Sequence, residues 1–522
     1  MKSAQPENPK EKQSAEALMG YMSKLSDTDR KLIKKAYDFA QEAHKDHKRN
    51  SGEPYFNHLY ATAKGLAEID MDAPTIAAGL LHDSIEDVDV KPSTLQEEFG
   101  EEVYFLVRGT TKLGKLKYRG AARHIESLRR LFVATSKDIR VLLIKLMDRR
   151  HNVQTLQYVR EDKRARIANE TLNIYAPLAD RLGMGRLKRD LEDWSFKYAL
   201  PEEYKKMHTI LQESKLAREP QLEVVTNKLK KNLVVHGVKG FRTESRVKGL
   251  YSLYKKLQRK GGDMDKIHDI HAIRIIVSSV EDCYRALGAA HTLWHPLPGK
   301  IKDYIAFPKP NGYRSIHTTV VTQDAGPVEI QFRTEQMHYE AQFGFASHLT
   351  YKESGAAPDR GEKKKNTLWY KQLIPSLITS SSRRSVTKRA NPPKWINDLA
   401  TAHDIRESTK EEQFMQELSA DFFSHRIFVF TPKGDVVDLP IDSSPIDFAY
   451  AIHSEIGDHI SGAKVNGKLV SLDTTLKNGD IVRIETKKEA RPSEKWLEYV
   501  RTTMAKRHIS HNLSKRNRKK KE

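Results

Sequence analysis

In the word LLHDSIEDV an imidazole and a carboxylate stand side by side as His82 and Asp83, a pair able to serve one metal ion from the edge of a helix. His82 and Glu86 are four residues apart, as are Asp83 and Asp87, so helical geometry projects each pair from neighbouring positions on one face. His58 in PYFNHLYA and Asp148 in KLMDRRHN lie in helical contexts of their own. Two imidazoles and two carboxylates form a mixed nitrogen and oxygen set that suits Mn2+, Fe2+ or Zn2+ and leaves positions for water and phosphate oxygens. Such a metal lowers the pKa of its water and shields phosphate charge, and Glu86 with Asp87 are then placed to position or deprotonate that water. A His-Asp dipeptide alone is commonly a solvated helix face, and Asp148 before Arg149 and Arg150 also reads as an ion-paired surface. The joint order His58, His82-Asp83, Asp148 carries the metal reading.

A second group of residues suits phosphates. SRVKGLYSLYKKLQRK puts Arg246, Lys248, Ser252, Lys255 and Lys256 near the start of an amphipathic helix, where cations and free N–H groups favour a triphosphate. In PVEIQFRT, Val328, Ile330 and Phe332 alternate with Glu329, Gln331 and Arg333, so one strand face packs while the other offers a carboxylate and a guanidinium. Asp269 starts a further apolar strand, IHDIHAIRIIV, and two carboxylates from two strands can share a Mg2+ with substrate phosphates. Between them, KIKDYIAFPKPNGYRSIHTTV holds too much Pro, Gly and Asn for a regular element and reads as a binding loop, with Tyr313 available to stack on a base.

The elements that must position these residues change along the chain. Residues 16–200 read as helices, an all-α domain. From about residue 240 the pattern is α/β, with IHDIHAIRIIV and GPVEIQFRT as strands and VEDCYRALGAAHTLW and QMHYEAQFGFASHL as helices. HRIFVFTPKGDVVDLP, GAKVNGKLVSLD and DIVRIET give two hairpins and a strand, a small β-rich module near 425–487. The 522 residues suit three or four folded units. Ninety Lys and Arg against 69 acids leave a net charge of +21, a balance that points to a polyanionic partner. Residues 352–394 and 501–522 carry +8 each, so most of the excess sits in a linker-like stretch and a terminal tail. One cysteine, Cys283, excludes an intrachain disulfide and a zinc-finger pattern. No apolar run reaches the roughly 18 residues of a membrane span, so the expectation is a cytoplasmic protein with no membrane partner.

The ligand order in an all-α segment resembles the HD phosphohydrolase superfamily. With RNSGEPYFNH, TTKLGKL, SKDIRVLLIKLMDRRHN and IYAPLADRLGMGRLKRDLEDWSF, it resembles the hydrolase half of the RelA/SpoT homologues, the bacterial stringent-response enzymes. That resemblance implies Mn2+ on His58, His82, Asp83 and Asp148, removal of the 3′-pyrophosphate of (p)ppGpp, Glu86 and Asp87 as the catalytic acid pair, and Arg49, Ser51, Asn152 and Thr155 on the nucleotide. Asn50 stands where a Lys is usual and Leu59 where a Pro is common; neither belongs to the metal set.

IKDYIAFPKPNGYRSIHT followed by VEIQFRTEQMHYEAQFGFASH resembles the pyrophosphokinase half of the same family. There the β,γ-diphosphate of ATP passes to the 3′-hydroxyl of GDP or GTP. The resemblance implies Asp269 and Glu329 as catalytic residues handling Mg2+, Glu329 as candidate base, and Arg246 with Arg274 around adenine. It also implies Lys248, Ser252, Lys255 and Lys302 on phosphates and Tyr313 with His317 on the guanine side. Strict alternation puts Asp269 and Arg274 on opposite strand faces. Lys300-Ile301-Lys302-Asp303 keeps the charge sign of the bifunctional members, which usually read Arg-x-Lys-Asp. Arg314 replaces a frequent Gln, and Val247 and Gly249 stand where Pro and His are common.

RIFVFTPKGDVVDLP, IDFAYAIHSEIG, AKVNGKLV and LKNGDIVRIET resemble a TGS domain, a β-grasp module. By that resemblance it contacts uncharged tRNA on the ribosome, with His453 at the contact position. The expected organisation is multidomain. A disordered tail (1–24) precedes an all-α HD-type hydrolase domain (25–200) and an α/β nucleotidyltransferase-like synthetase domain (201–350) led by a helical linker. A basic linker and helix (351–424), the TGS domain (425–487) and the start of a helical region with a basic tail (488–522) follow, without the zinc-finger or ACT region of long members. Two other readings stay open: a hydrolase whose synthetase half is mainly regulatory, and a ribosome or tRNA binding protein with vestigial enzyme domains.

Overall fold

In the computed structural model, residues 13–23, 25–88, 90–111, 121–264, 267, 270–309, 311–346, 396 and 426–519 are described. The chain divides into two compact units, residues 1–111 with 143–356, and residues 112–142 with 357–522.

The first unit opens with a short helix, α1 (Ala15–Met19), started by the Ser14 side chain and burying Ala15, Leu18 and Met19. This corrects the expectation of a disordered tail through residue 24 and follows from the apolar spacing of AEALM. Helices α2 (Asp27–Ala43), α3 (Phe56–Glu68), α4 (Ala73–Leu81), α5 (Ser84–Asp87) and α6 (Pro92–Thr110) follow. Helix α6 breaks at Gly100, whose φ of +81° no helix accommodates. In the second unit lies α7 (Ala121–Lys137); α8 (Arg140–Gln154) enters the first unit at Leu143. Then come α9 (Glu161–Glu170), a π-helical turn over Thr171–Tyr175, α10 (Ala176–Arg181), α11 (Gly185–Ala199) and α12 (Pro201–Val235).

The α/β half is a five-stranded sheet in the order β1-β2-β5-β4-β3. Its elements are β1 (Arg242–Val247), α13 (Leu250–Arg259), β2 (His271–Val277), α14 (Val280–Leu293), β3 (Lys302–Asp303), β4 (Ile316–Thr322), β5 (Gly326–Thr334) and α15 (Glu335–Phe343). Strands β2 and β5 are parallel and the other neighbours antiparallel. Alternation sends Ile273, Ile275, Val328, Ile330, Phe332, Ile316 and Val320 to one face. There they pack on Leu222, Val225, Leu229 and Leu233 of α12 and on Ala286, Ala289 and Ala290 of α14, whose small side chains let the helix lie close. The long helix α12 therefore belongs to the sheet's core as well as leading into it.

Two sequence expectations need correction here. Arg246 lies on β1 rather than on the helix, and α13 starts only at Leu250 because Gly249 is extended at ψ 145°. The stretch SIHTTV, read as loop, ends in a full strand, β4, because Ile316, Thr318 and Val320 alternate inward.

The second unit carries the β6 (Arg426–Phe430) and β7 (Val436–Pro440) hairpin, α16 (Pro445–Ile452), α17 (Ser454–Asp458), and strands β8 (Ile460–Val465), β9 (Lys468–Val470) and β10 (Val482–Thr486). The β8–β9 turn sits at Asn466 (φ +51°) and Gly467 (φ +82°), the pair of positive angles that Asn-Gly accepts in a two-residue hairpin. Helices α18 (Trp496–Tyr499) and α19 (Thr503–Lys519) close the module, with Trp496, Val500, Ala505 and Ile509 in one core with Ile446, Ala449, Tyr450 and Ile460. The buried Asp447 carboxylate accepts the Arg501 and Thr502 N–H groups at 3.0 and 2.8 Å, tying these helices to α16. The basic linker lies outside the described residues except for Ile396. Among the described residues, no helix is long and apolar enough to cross a membrane.

The helical half meets the sheet half backbone to backbone. The Phe345 N–H donates to the Leu182 carbonyl at 2.7 Å, and Gly344 has φ +56°. A Cβ on Gly344 would fall on the Leu182 carbonyl and the Gly183 and Met184 backbone. Gly344→Ala is expected to destabilise this unit by about 2–4 kcal/mol, from strain and overpacking together. Chemical denaturation of the variant checks it, with an unchanged midpoint counting against the seam.

Candidate functional site

Helix α3 carries His58, α8 carries Asp148, and His82 with Asp83 sit where α4 ends and α5 begins. The expectation of one continuous helix through LLHDSIEDV is corrected here. Asp83 has φ −100° and ψ 0°, its carbonyl takes the N–H groups of Glu86 and Asp87, and a new short helix starts from it. The break turns Asp83 toward His82 instead of along a common helical stripe.

His58, His82 and Asp148 present ligand atoms all within 4.8 Å of one another, and all three are buried. His58 Nε2 lies 3.3 Å from Asp148 Oδ1. Asp83 Oδ2 lies 3.2 Å from His82 Nε2 and 3.7 Å from His58 Nε2. The His82 Nδ1–H donates to the Gly79 carbonyl at 2.9 Å, which leaves Nε2 facing the cluster, buried and without a hydrogen-bond partner. His58 Nδ1 and an Arg49 N–H both meet His151 Nδ1, at 2.9 and 2.8 Å. Burial, His58 and Arg49 hold His151 down at about 2, so it is a neutral acceptor and His58 Nε2 is left to the cluster.

The electrostatics agree. Burial pushes both carboxylates toward the neutral form, but His82 on Asp83 and Lys145 on Asp148 outweigh it and hold both well below the usual carboxylate range. His82 is pushed up against its own burial by Asp83 and Asp148. Positive charge therefore belongs between these groups, and a divalent metal fits the donors: two imidazole nitrogens and two ionised carboxylates, one nitrogen otherwise orphaned. Lys145, buried, donates to Asp148 Oδ2 at 2.6 Å, and Asn152 donates to Oδ1 at 2.5 Å.

The other residues read from the sequence are partly gathered. Arg49 reaches Asn152 Oδ1 at 2.8 Å, which joins both to the cluster. Thr155 caps the next turn of α8, donating to the His151 carbonyl at 3.0 Å. Ser51 bonds only locally, to Glu53 in the turn at Gly52. Glu86 is half-buried and Asp87 exposed on α5, whose first turn hangs from the Asp83 carbonyl. Tyr55, Lys145 and His151 were missed by sequence reasoning. His151 alone had a signal, since it lies three residues, one helical turn, beyond Asp148.

The sheet's other face is polar. Register places Glu244 and Arg246 of β1, Arg274 of β2, Glu329, Gln331 and Arg333 of β5, His317 of β4 and Lys302 of β3 on it together. Arg274 thus shares a face with Arg246 and Glu329; Asp269 lies outside the described residues. Arg274 donates to Glu244 at 2.9 Å, and burial with Arg333 and Arg246 nearby lowers it to about 10. Arg333 donates to the Tyr313 hydroxyl at 2.7 Å, and that hydroxyl meets His317 Nε2 at 2.9 Å. Burial and the surrounding Lys309, Arg333 and Arg246 keep His317 neutral, so Nε2 accepts and the Nδ1–H faces Glu329 Oε1, 3.6 Å away. Glu329 itself accepts from Gln331 at 2.6 Å. The Tyr313 ring, read as a base platform, carries Lys309 at 5.0 Å and Arg333 at 5.1 Å. Burial lowers Lys309 to about 8.

At α13 the partners come from the helical half. The Ser252 hydroxyl donates to Glu192 at 2.9 Å, and the Tyr251 N–H donates to Asp193 at 3.1 Å. Lys255 lies 5.2 Å from the Tyr251 ring centre and is lowered by burial. Lys248 occupies the link before α13, its N–H on the Ile270 carbonyl at 3.0 Å. In the other unit, the exposed His453 uses Nδ1 to accept the Glu455 N–H at 3.2 Å, starting α17.

Residues 36–185 match the HD domain, residues 245–356 match the region found in RelA / SpoT proteins, and residues 427–486 match the TGS domain. The chain is 43% identical over 487 residues to the guanosine-3′,5′-bis(diphosphate) 3′-pyrophosphohydrolase of Aquifex aeolicus, covering 93% of this chain and 65% of that one. It is 42% identical over 491 residues to a probable pyrophosphohydrolase of the same name from Synechocystis, covering 94% and 61%. To the GTP pyrophosphokinase of Myxococcus xanthus it is 41% identical over 498 residues, covering 95% and 62%. The chain thus spans roughly three fifths of the length of the curated relatives it matches.

The Asp193 contact predicts a pH dependence. Burial raises the Asp193 carboxyl to about 7 from 3.8, so the folded state holds a proton that the unfolded state releases. Its contribution is complete below pH 3.8 and is lost as pH rises toward about 7. Asp193→Asn keeps the oxygen for the Tyr251 N–H without the charge. Its unfolding midpoint is expected to match wild type near pH 4 and to exceed it by about 2–4 °C at pH 8. Parallel melts at both pH values test this, and a constant difference would contradict it.

Proposed function

The chain belongs to the RelA/SpoT family, and we propose that it is a bifunctional enzyme that makes and degrades (p)ppGpp at two separate centres. The observation that carries this reading is the coexistence, in one unit, of a buried two-histidine, two-carboxylate cluster and a cationic sheet face bearing Glu329.

In the first centre, His58, His82, Asp83 and Asp148 would hold Mn2+, which when bound would supply a water of lowered pKa and shield phosphate charge. Glu86 and Asp87 follow Asp83 on α5 and would orient or deprotonate the attacking water that releases the 3′-pyrophosphate. Arg49 and Asn152 are already fixed to the cluster's edge and offer donors to the nucleotide, with Ser51 and Thr155 farther out.

In the second centre, ATP gives its β,γ-diphosphate to the 3′-hydroxyl of GDP or GTP. Mg2+ would be held by Glu329 with Asp269 and supplies charge neutralisation on the phosphates. Glu329 is the base for the hydroxyl, and Gln331 and His317 orient its carboxylate. Arg246 and Arg274 sandwich adenine, with Lys248, Ser252, Lys255 and Lys302 toward phosphates and Tyr313 with His317 toward guanine. The His453 module contacts uncharged tRNA on the ribosome.

Two assays on the purified chain test the proposal: ATP with GDP or GTP and Mg2+, and ppGpp with Mn2+. Asp83→Ala is expected to lower hydrolysis at least about 100-fold while sparing synthesis, and Glu329→Gln to do the reverse. Loss of both activities in either variant would overturn separate centres. Absent AMP release in every condition would favour a regulatory synthetase half, and absent hydrolysis as well would favour a binding protein.

Because Ser252 already donates to Glu192, a nucleotide phosphate has to displace a carboxylate there. Glu192→Gln is expected to lower the KM for ATP by about threefold to tenfold, the scale of one charge interaction of about 1 kcal/mol. Steady-state kinetics at fixed GDP reads it directly.

A further inference from the structure

Asp83 differs from the other three cluster residues in two ways. Its side chain is 16% exposed, against 2%, 1% and 6% for His58, His82 and Asp148. It also sits between two helices, at the N-cap of α5, with φ −100° and ψ 0°. His58, His82 and Asp148 each have a fixed hydrogen bond on the atom that does not face the cluster, from His151, Gly79 and Lys145. For Asp83 the support is the Tyr55 hydroxyl, which donates to Oδ2 at 2.8 Å and also engages Asp87. That oxygen is the one facing both imidazoles.

Tyr55 is held on several sides. Its N–H donates to the His47 carbonyl at 2.8 Å. Its ring lies flat on His44, with centroids 5.2 Å apart and planes 12° apart, and meets the edge of His58 at 5.8 Å. His44 is fully buried, and among the described residues neither ring nitrogen has a hydrogen-bond partner. Its imidazole lies as a flat plate behind the phenol. A neutral donor also leaves the full negative charge on Asp83, whereas Lys145 offsets that of Asp148.

We propose that Tyr55 is the positioning residue that aims Asp83 at the metal, with His44 as its backing. The inference rests on the reading that this cluster holds a divalent ion. Partners of this kind change metal affinity by about 10–100-fold when removed.

The test is Mn2+ binding to the whole chain, followed by the loss of the free-ion electron paramagnetic resonance signal, for wild type, Tyr55→Phe, Asp83→Asn and the double variant. Tyr55→Phe keeps the ring and its stack and removes only the hydroxyl. The expected result is a Kd raised about 10–100-fold in Tyr55→Phe, an unchanged melting midpoint without metal, and hydrolysis recovered at high Mn2+. In the Asp83→Asn background the same change should add less than about twofold, since the hydroxyl acts through that carboxylate. Wild-type Kd in Tyr55→Phe, or an equal loss in both backgrounds, overturns the role of Tyr55. Failure of wild type to bind Mn2+ overturns the metal reading instead.

Discussion

Helix α11 is the member on which both proposed centres depend. On one side Arg150 of α8 reaches Asp190 at 2.9 Å, two residues beyond Asp148 of the proposed metal cluster. On the other, Glu192 and Asp193 hold Ser252 and the first turn of α13. Between them Phe196 is fully buried in a cluster with Tyr251, Leu253 and Met207. A helix is stiff over fifteen residues, so these attachments cannot move independently. The charged groups along it are costly to bury unless paired, and their pairing uses both halves of the unit.

The two centres solve a common problem in different ways. At the metal cluster, carboxylates and imidazoles are placed so that positive charge is drawn in. On the sheet face cations crowd together, and burial first, then Arg333 and Arg246, lower Arg274. Such crowding suits a face that receives anionic groups. Glu244 relieves some of it internally by accepting from Arg274.

Much of this was legible in the residues. The period of three and four marked the helices, and the alternation in PVEIQFRT put Glu329, Gln331 and Arg333 on one face, where they lie. What could not be read was anything set by contacts between distant segments. His82-Asp83 looked like part of one helix because nothing local announces the break, which leaves four residues in place of a longer run. SIHTTV looked like loop because its neighbours Pro, Gly and Asn dominated the window, whereas pairing with β5 makes it a strand. Tyr55, Glu192 and Asp193 lie inside words quoted for the resemblance, but nothing local marks their roles; each acts through a partner 28 to 60 positions away.

The seam at Gly183 and Gly344 has a consequence for how such a chain can change. There the two halves touch through main-chain atoms, and a Cβ on Gly183 would stand 2.6 Å from the Asn311 carbonyl. A joint written in backbone is indifferent to most side-chain drift around it, because carbonyls and N–H groups are the same in every residue. At this seam substitutions on either side leave the joint itself unchanged, provided that Gly183, Gly185 and Gly344 keep open the space a methyl group would fill. The docking of α11 on α13 has no such tolerance, because it runs through the side chains of Glu192, Asp193 and Phe196.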